Sequence, residues 1–258
     1  MLRRHWIARL GVGSVALATL YPLVGLLAPI GPWRLSGGVA QATLDSAAVS
    51  LVYTGIAMVI VVVFGTPVAV YVARCHIRER IWWQAVFLLS ILLPPLALGI
   101  LFSIAFGPHD PLGRWLLKLG VPTSNSATAF VATQVYVSAG YYILGAVAAL
   151  NGVPVALENQ AALLGKSPWP TFWAVTFPLA GVGLAAALSL AWARALGEFG
   201  AVMITAYYPA GMPVQLWIHL QNFGLPAVMP LLVIFMLTAL PLPWIFHILA
   251  QRRSVSNA

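Results

Sequence analysis

A polytopic bundle of transmembrane α-helices is the fold class this sequence predicts, and three observations carry the prediction. Of its 258 residues 61% are hydrophobic and only 7% are charged, against about 25% charged in a soluble domain. The apolar residues fall into long runs without period-2 alternation, which selects helices over a barrel. Six such runs, at about residues 10–30, 47–72, 82–106, 127–150, 174–204 and 227–249, reach the roughly 20 residues needed to cross a hydrocarbon core. The expectation is one all-α membrane domain over residues 1–258, with six transmembrane helices and a polar loop at 151–173.

The net charge of +8 does not point to nucleic acid, because the basic residues sit in small clusters between apolar runs. That pattern encodes orientation. Lys and Arg flanking the runs divide nine against three between the two sides. Arg3, Arg4, Arg9, Arg74, Arg78, Arg80, Lys166, Arg252 and Arg253 share the richer side. The positive-inside rule therefore places both termini and the 151–173 loop in the cytoplasm. Cys75 is the single cysteine, so no intrachain disulfide forms, and on this topology it faces the reducing compartment.

The first run follows three arginines and invites a signal-peptide reading. It is longer than the usual 7–15-residue signal core, and Ala40-Gln-Ala42 lies well past its end, so a retained helix is expected. Run two closes with Gly65-Thr-Pro-Val-Ala69, where proline removes one helix hydrogen bond. Run three contains Pro94 and Pro95, read either as a packed kink or as a deformable element beside a pathway. His109 and Asp110 lie in an external turn cluster, Gly107 to Gly113; without a third ligand they make a solvated loop rather than a metal site. Between runs five and six, Gln215, His219 and Asn222 recur at helical spacing. A short external helix in the interface is expected there, with that polar stripe turned to water or, as the alternative, to a partner or the substrate entry.

The stretch from Asn151 to Gly200 organises the rest. Asn151-Gly-Val-Pro154 is a turn signal, residues 156–164 can form two helical turns, and Gly165 can stop them with a left-handed conformation. Gly165-Lys166-Ser167 resembles the end of a phosphate-binding loop, but Gln160 stands where that motif needs its first glycine and no strand precedes it. The chain therefore lacks an ATP site of its own. Gly181-Val-Gly183 and the residues after it fit a dinucleotide fingerprint only on paper, since they lie inside an apolar run where small residues let helices approach. Arg194 and Glu198, four apart, lie deep in run five, where isolated charges cost about 2.5–3.5 kcal/mol each. They pair with one another or face a wet interior.

Glu158-Asn-Gln-Ala-Ala-Leu-Leu-Gly165, followed by Ser167-Pro-Trp169, Phe172, Val175 and Pro178-Leu179, resembles the cytoplasmic "EAA" loop of the membrane subunits of ATP-binding-cassette importers. Arg194-Ala-Leu-Gly-Glu-Phe-Gly-Ala201, Gly65 to Arg74 and Pro94-Pro95 narrow the resemblance to the molybdate, tungstate and sulfate permease branch. Ala206-Tyr-Tyr-Pro209 leans toward molybdate or tungstate. The resemblance spans residues 45–245 and implies the type I permease fold, an inner-membrane location and a non-enzymatic role. ATP would be bound by separate ATPase subunits, with no cofactor or metal in this chain. It also implies an external substrate-binding protein and a second permease subunit, as a homodimer. Carried over residue by residue, Glu158, Asn159, Ala161 and Gly165 become ATPase contacts, with Leu157 and Leu164 as apolar anchors. Asn159-Gln160 depart from the family's Glu-Ala, so the polar contact falls to Glu158 or Asn159. Arg194, Glu198, Pro94 and Pro95 are the pathway candidates. An ion-coupled secondary transporter and a non-transporting membrane assembly protein are the alternatives; copurification with an ATPase and ATP-dependent anion transport separate them from the importer.

Overall fold

The computed structural model describes residues 2–27, 32–33 and 36–239, and every regular element among them is helical. Helix α1 (Leu2–Leu20) passes into a tight turn at Tyr21–Leu27, followed by α2 (Gly37–Arg74), α3 (Ile77–Leu92), α4 (Pro95–Phe106) and α5 (Pro111–Lys118). Then come α6 (Ala127–Asn151), α7 (Val155–Leu163) and α8 (Pro168–Thr171). A wide turn at Phe172–Thr176 leads on into α9 (Phe177–Leu196). The last described elements are α10 (Gly200–Thr205), α11 (Met212–Phe223) and α12 (Leu225–Ala239).

Helix α6 is the centre of the bundle, packed between α2 and α9 with α3 crossing it. Its sequence allows this closeness because small residues line the seams. A Cβ on Gly145 would meet Ala187 Cβ at 2.8 Å, and one on Gly65 would meet the Tyr142 ring at 3.0 Å. Along α2 the buried positions Thr43, Ala47, Ser50, Thr54, Ala57, Val61 and Gly65 recur every three or four residues, tracing one inward stripe. The polarity is that of a protein dissolved in lipid. Val59, Phe64 and Ile104 lie on the outside, whereas Thr54, Thr133, Gln134, Ser138 and His219 are buried.

Among the described residues three helices are long and apolar enough to cross a membrane, Gly37–Arg74, Ala127–Asn151 and Pro168–Leu196, and a fourth is added there if α3 and α4, bent by 106°, count as one span. The expected run at 82–106 is thus not one straight helix. Pro95 has no N–H and Pro94 drives Leu93 into an extended conformation (φ −67°, ψ 128°), so the ladder closes at Leu93 N–H to Leu89 O and restarts at Leu98 N–H to Pro94 O. The run at 174–204 is also shorter than expected, because α9 stops at Leu196 and the chain turns through Gly197 and Glu198 before α10. The apolar stretches Gly11–Leu26 and Leu225–Ala239 fall below spanning length among the described residues. Residues 240–249 of the last expected run, and the tail with Arg252 and Arg253, lie outside the described residues.

Helix α11 departs from its expected environment. Gln215 and His219 are buried rather than facing water, with His219 Nδ1 3.1 Å from the carbonyl of Ala227, while Trp217 and Leu220 point outward. Placed inward, the His219 ring reaches a backbone carbonyl of the neighbouring helix, the reverse of a stripe turned to water. Asn222 alone of the three is exposed.

Candidate functional site

Two regions gather the residues singled out by sequence. The first is the hairpin around α7. Pro154 starts the helix with its missing N–H at no cost, and Gly165 ends it at φ +81°. Lys166 N–H donates to Ala161 O at 3.0 Å and Gly165 N–H to Ala162 O at 2.9 Å, the paired bonds of a Schellman turn. Any side chain with a Cβ is strained at that glycine.

The hairpin presents two faces. Leu157, Asn159, Leu164 and Gly165 are exposed, as is Leu163, at 87% the most exposed large apolar side chain of the hairpin. Ala161 is buried and Glu158 is turned the same way. Of the two residues to which the resemblance gives the polar partner contact, Asn159 is exposed, and both oxygens of Glu158 are bonded inside the chain. Arg74 Nε donates to Oε2 at 2.9 Å and Nη2 to Oε1 at 2.7 Å, while Thr176 Oγ1 donates to Oε1 at 2.7 Å. The Arg74 Nη1 donates to Leu150 O at 3.2 Å. Hydrogen bonding from Arg74 holds the Glu158 carboxyl below the ordinary glutamate range, with the Thr176 hydroxyl acting in the same direction against partial desolvation. A depressed carboxylate adds stability above its unfolded-state pKa and loses it only as pH falls through the lower folded value. The ion pair therefore persists across neutral and mildly acidic conditions.

In sequence Arg74 counts as an orientation charge and as the end of a stretch that carries the family resemblance, and Thr176 has no role. One signal was available for Arg74, since it and Glu158 end on the same side of the membrane by the positive-inside count. Nothing in sequence marked Thr176, whose position depends on the wide turn before it: Phe177 N–H bonds to Phe172 O, one residue further back than in an α-helix. A cavity of about 270 Å³ lies against this cluster, lined by Val70, Arg74, Leu150, Glu158, Lys166 and Thr176 among others.

The second region is the junction where α9 breaks. Arg194 Nη1 pairs with Glu198 Oε2, and Glu198 Oε1 accepts from the Ala201 N–H at 2.6 Å. Gln134 Nε2 donates to Ala195 O at 3.1 Å, and Thr133 and Thr205 hydroxyls meet at 2.8 Å. The Glu198 carboxylate thus takes up the Ala201 N–H that the break frees, Gln134 adds a second donor to Ala195 O beside it, and the threonine pair ties α6 to α10. Glu198, expected either to pair with Arg194 or to face a wet interior, has a side chain 1% exposed with one oxygen on Arg194 and the other on the Ala201 N–H, so in this arrangement it caps the break. Arg194 keeps 21% exposure and lies 5.9 Å from the Tyr141 ring centroid.

Pro94 and Pro95, 100 residues away in sequence, arrive at the same place. A Cβ on Gly200 would meet Pro95 Cβ at 2.9 Å and Leu96 N at 3.1 Å, and one on Gly99 would meet Ala201 Cα and O, each at 2.9 Å. The two broken helices are thus in contact through α4 and α10, their breaks side by side. Among the described residues no group of three or more His, Cys, Asp or Glu could hold a metal ion.

A multi-pass helical membrane protein with interrupted helices and an outward-presented helical hairpin is the class that this fold and these sites define. Residues 65–255 match the family described as "Binding-protein-dependent transport system inner membrane component". The chain belongs to that family of permease subunits, which are not themselves enzymes. It is 34% identical to a probable molybdenum ABC transporter permease protein of Haloferax volcanii, over 86% of this chain and 81% of that one. It is 31% identical to a molybdate/tungstate transport system permease protein of Pyrococcus abyssi, over 67% of this chain and 64% of that one. The fold is similar to a chain in the crystal structure of a bacterial ABC transporter that imports alginate. There the TM-score is 0.73 with 15% identity, and 97% of each chain is covered.

Proposed function

We propose that this chain is the permease of an ATP-driven importer that carries a tetrahedral oxyanion, molybdate or tungstate, inward across the cytoplasmic membrane. The observation that carries the reading is α7, a short helix closed by a left-handed glycine with Leu157, Asn159, Leu163 and Leu164 exposed, which supports a docking role. An ATPase groove is the occupant that the family implies, with ATP bound there and not in this chain. The substrate assignment is supported by the names of the relatives. In this reading six helices cross the membrane, both termini and α7 are cytoplasmic, and two permease subunits, as a homodimer, enclose the pathway. A binding protein delivers the anion from outside. Arg194 attracts the oxyanion, and the breaks at Pro94-Pro95 and Gly197 are where helices reorient between outward-open and inward-open states.

Reconstituted with its ATPase and binding protein in liposomes, the chain should accumulate labelled molybdate only when ATP and binding protein are both present. Tungstate should compete at similar concentration. Accumulation without ATP, driven by an ion gradient, would replace the importer with a secondary transporter. The topology makes its own prediction: an impermeant thiol reagent should label Cys75 in permeabilised but not intact cells. Labelling in intact cells would invert the orientation.

A further inference from the structure

Helix α7 is joined to the chain at both ends by turns, Gly152 to Pro154 on one side and Gly165 to Ser167 on the other. Such turns bend easily, so a pull on α7 would be absorbed in them unless something stiffer crosses to the bundle. Among the described residues the side-chain hydrogen bonds that cross all go to one carboxylate, that of Glu158. Its donors sit on different elements: Arg74 is the last residue of α2, and Thr176 ends the wide turn that leads into α9. Arg74 also holds the carbonyl of Leu150, near the end of α6. The guanidinium meets the carboxylate through two parallel N–H donors, which fixes direction as well as distance.

We infer that Glu158 is a positioning residue for transport. Through Arg74 and Thr176 it converts displacement of α7 into a joint movement of the ends of α2 and α9, so that loosening it uncouples ATP use from anion movement. The inference deepens the importer reading and rests on it. It separates two jobs within one nine-residue helix: the exposed leucines dock the partner, and Glu158 passes the motion on. The wide turn at Phe172–Thr176 then has a purpose, because without its extra residue the Thr176 hydroxyl would sit elsewhere around the helix axis.

The experiment uses the complete complex in liposomes and reads two quantities, ATP hydrolysed per anion accumulated and the amount of ATPase subunit copurifying. Glu158→Gln and Arg74→Ala should raise the ratio on the order of tenfold, within the 5- to 150-fold range of typical coupling, with copurification unchanged. Thr176→Val, which removes only the hydroxyl, should raise it by a few-fold, and Thr176→Ser should restore it. Arg74→Lys keeps the charge without the two-point fork and should fall between. A residue that merely stabilises the fold would lower both activities together and leave the ratio alone. Unchanged ratios in Glu158→Gln and Thr176→Val overturn the inference, and so does loss of copurification in Glu158→Gln, which would return Glu158 to the partner surface. Wild-type complex without ATP-driven uptake would overturn the importer reading itself, and this inference with it.

Discussion

Glu198→Ala is expected to cost about 3 kcal/mol of stability, the lower end of what breaking a buried ion pair costs, because Arg194 is partly exposed and can find other solvation. The loss has two physical parts. Arg194 is left without its counterion in an apolar region, and the Ala201 N–H loses its acceptor at a helix break that water does not reach. Arg194→Met/Glu198→Gln keeps an acceptor at the break and removes both charges, so it should recover most of the folded yield and melting temperature in detergent. Anion uptake gives a different readout. If Arg194 attracts the oxyanion, the double variant assembles and yet transports about tenfold or more slowly at low anion, since a hydrogen bond to a charged group is worth about 1.5–3 kcal/mol. Uptake returning together with assembly would end the pathway role for Arg194. Single variants that melt like wild type would remove the structural role of the pair.

Gly99→Val should be at least as damaging as Glu198→Ala, for a reason of space alone. Even an alanine Cβ at Gly99 falls 2.9 Å from the Ala201 Cα and carbonyl oxygen and 3.0 Å from Ile204 Cβ. Backbone atoms cannot swing aside as a flexible side chain does, so α4 and α10 must separate, at about 1–3 kcal/mol for the first methyl and more for a branched side chain. Gly55→Ala on α2 is the control, because a Cβ there meets nothing within 4 Å. It should melt within about 0.5 kcal/mol of wild type. Gly99→Val melting with the control would show that α4 and α10 are not held against each other.

The parts of this protein that were legible in sequence are those set by local rules. Apolar runs with almost no charge demand lipid, and the helical requirement follows from the backbone's need for internal hydrogen bonds. The α7 hairpin was legible because Asn151-Gly-Val-Pro154 and Gly165 are local punctuation whose meaning does not depend on distant residues. The pairing of Glu158 was not, since Arg74 lies 84 positions away and no spacing rule connects them. Run five read as one long helix because alanine and leucine surround Gly197 and Gly200. Two glycines in four residues were a weak warning, decided only when Pro95 and Gly99 pressed against α10. His219 shows the same limit from the other side: its helical spacing was plain, but spacing gives a stripe and not the direction it faces.

Sequence by itself determined the solvent, the helical class, the family resemblance and the place of the α7 hairpin, because composition and local backbone chemistry act over a few residues. Only tertiary structure decided which charges meet, that Glu158 faces its own bundle, that Glu198 caps a break, and that the breaks of two distant helices lie together. Those depend on helices approaching to within a side chain of each other, a condition set by the whole bundle at once and written in no single stretch of the chain.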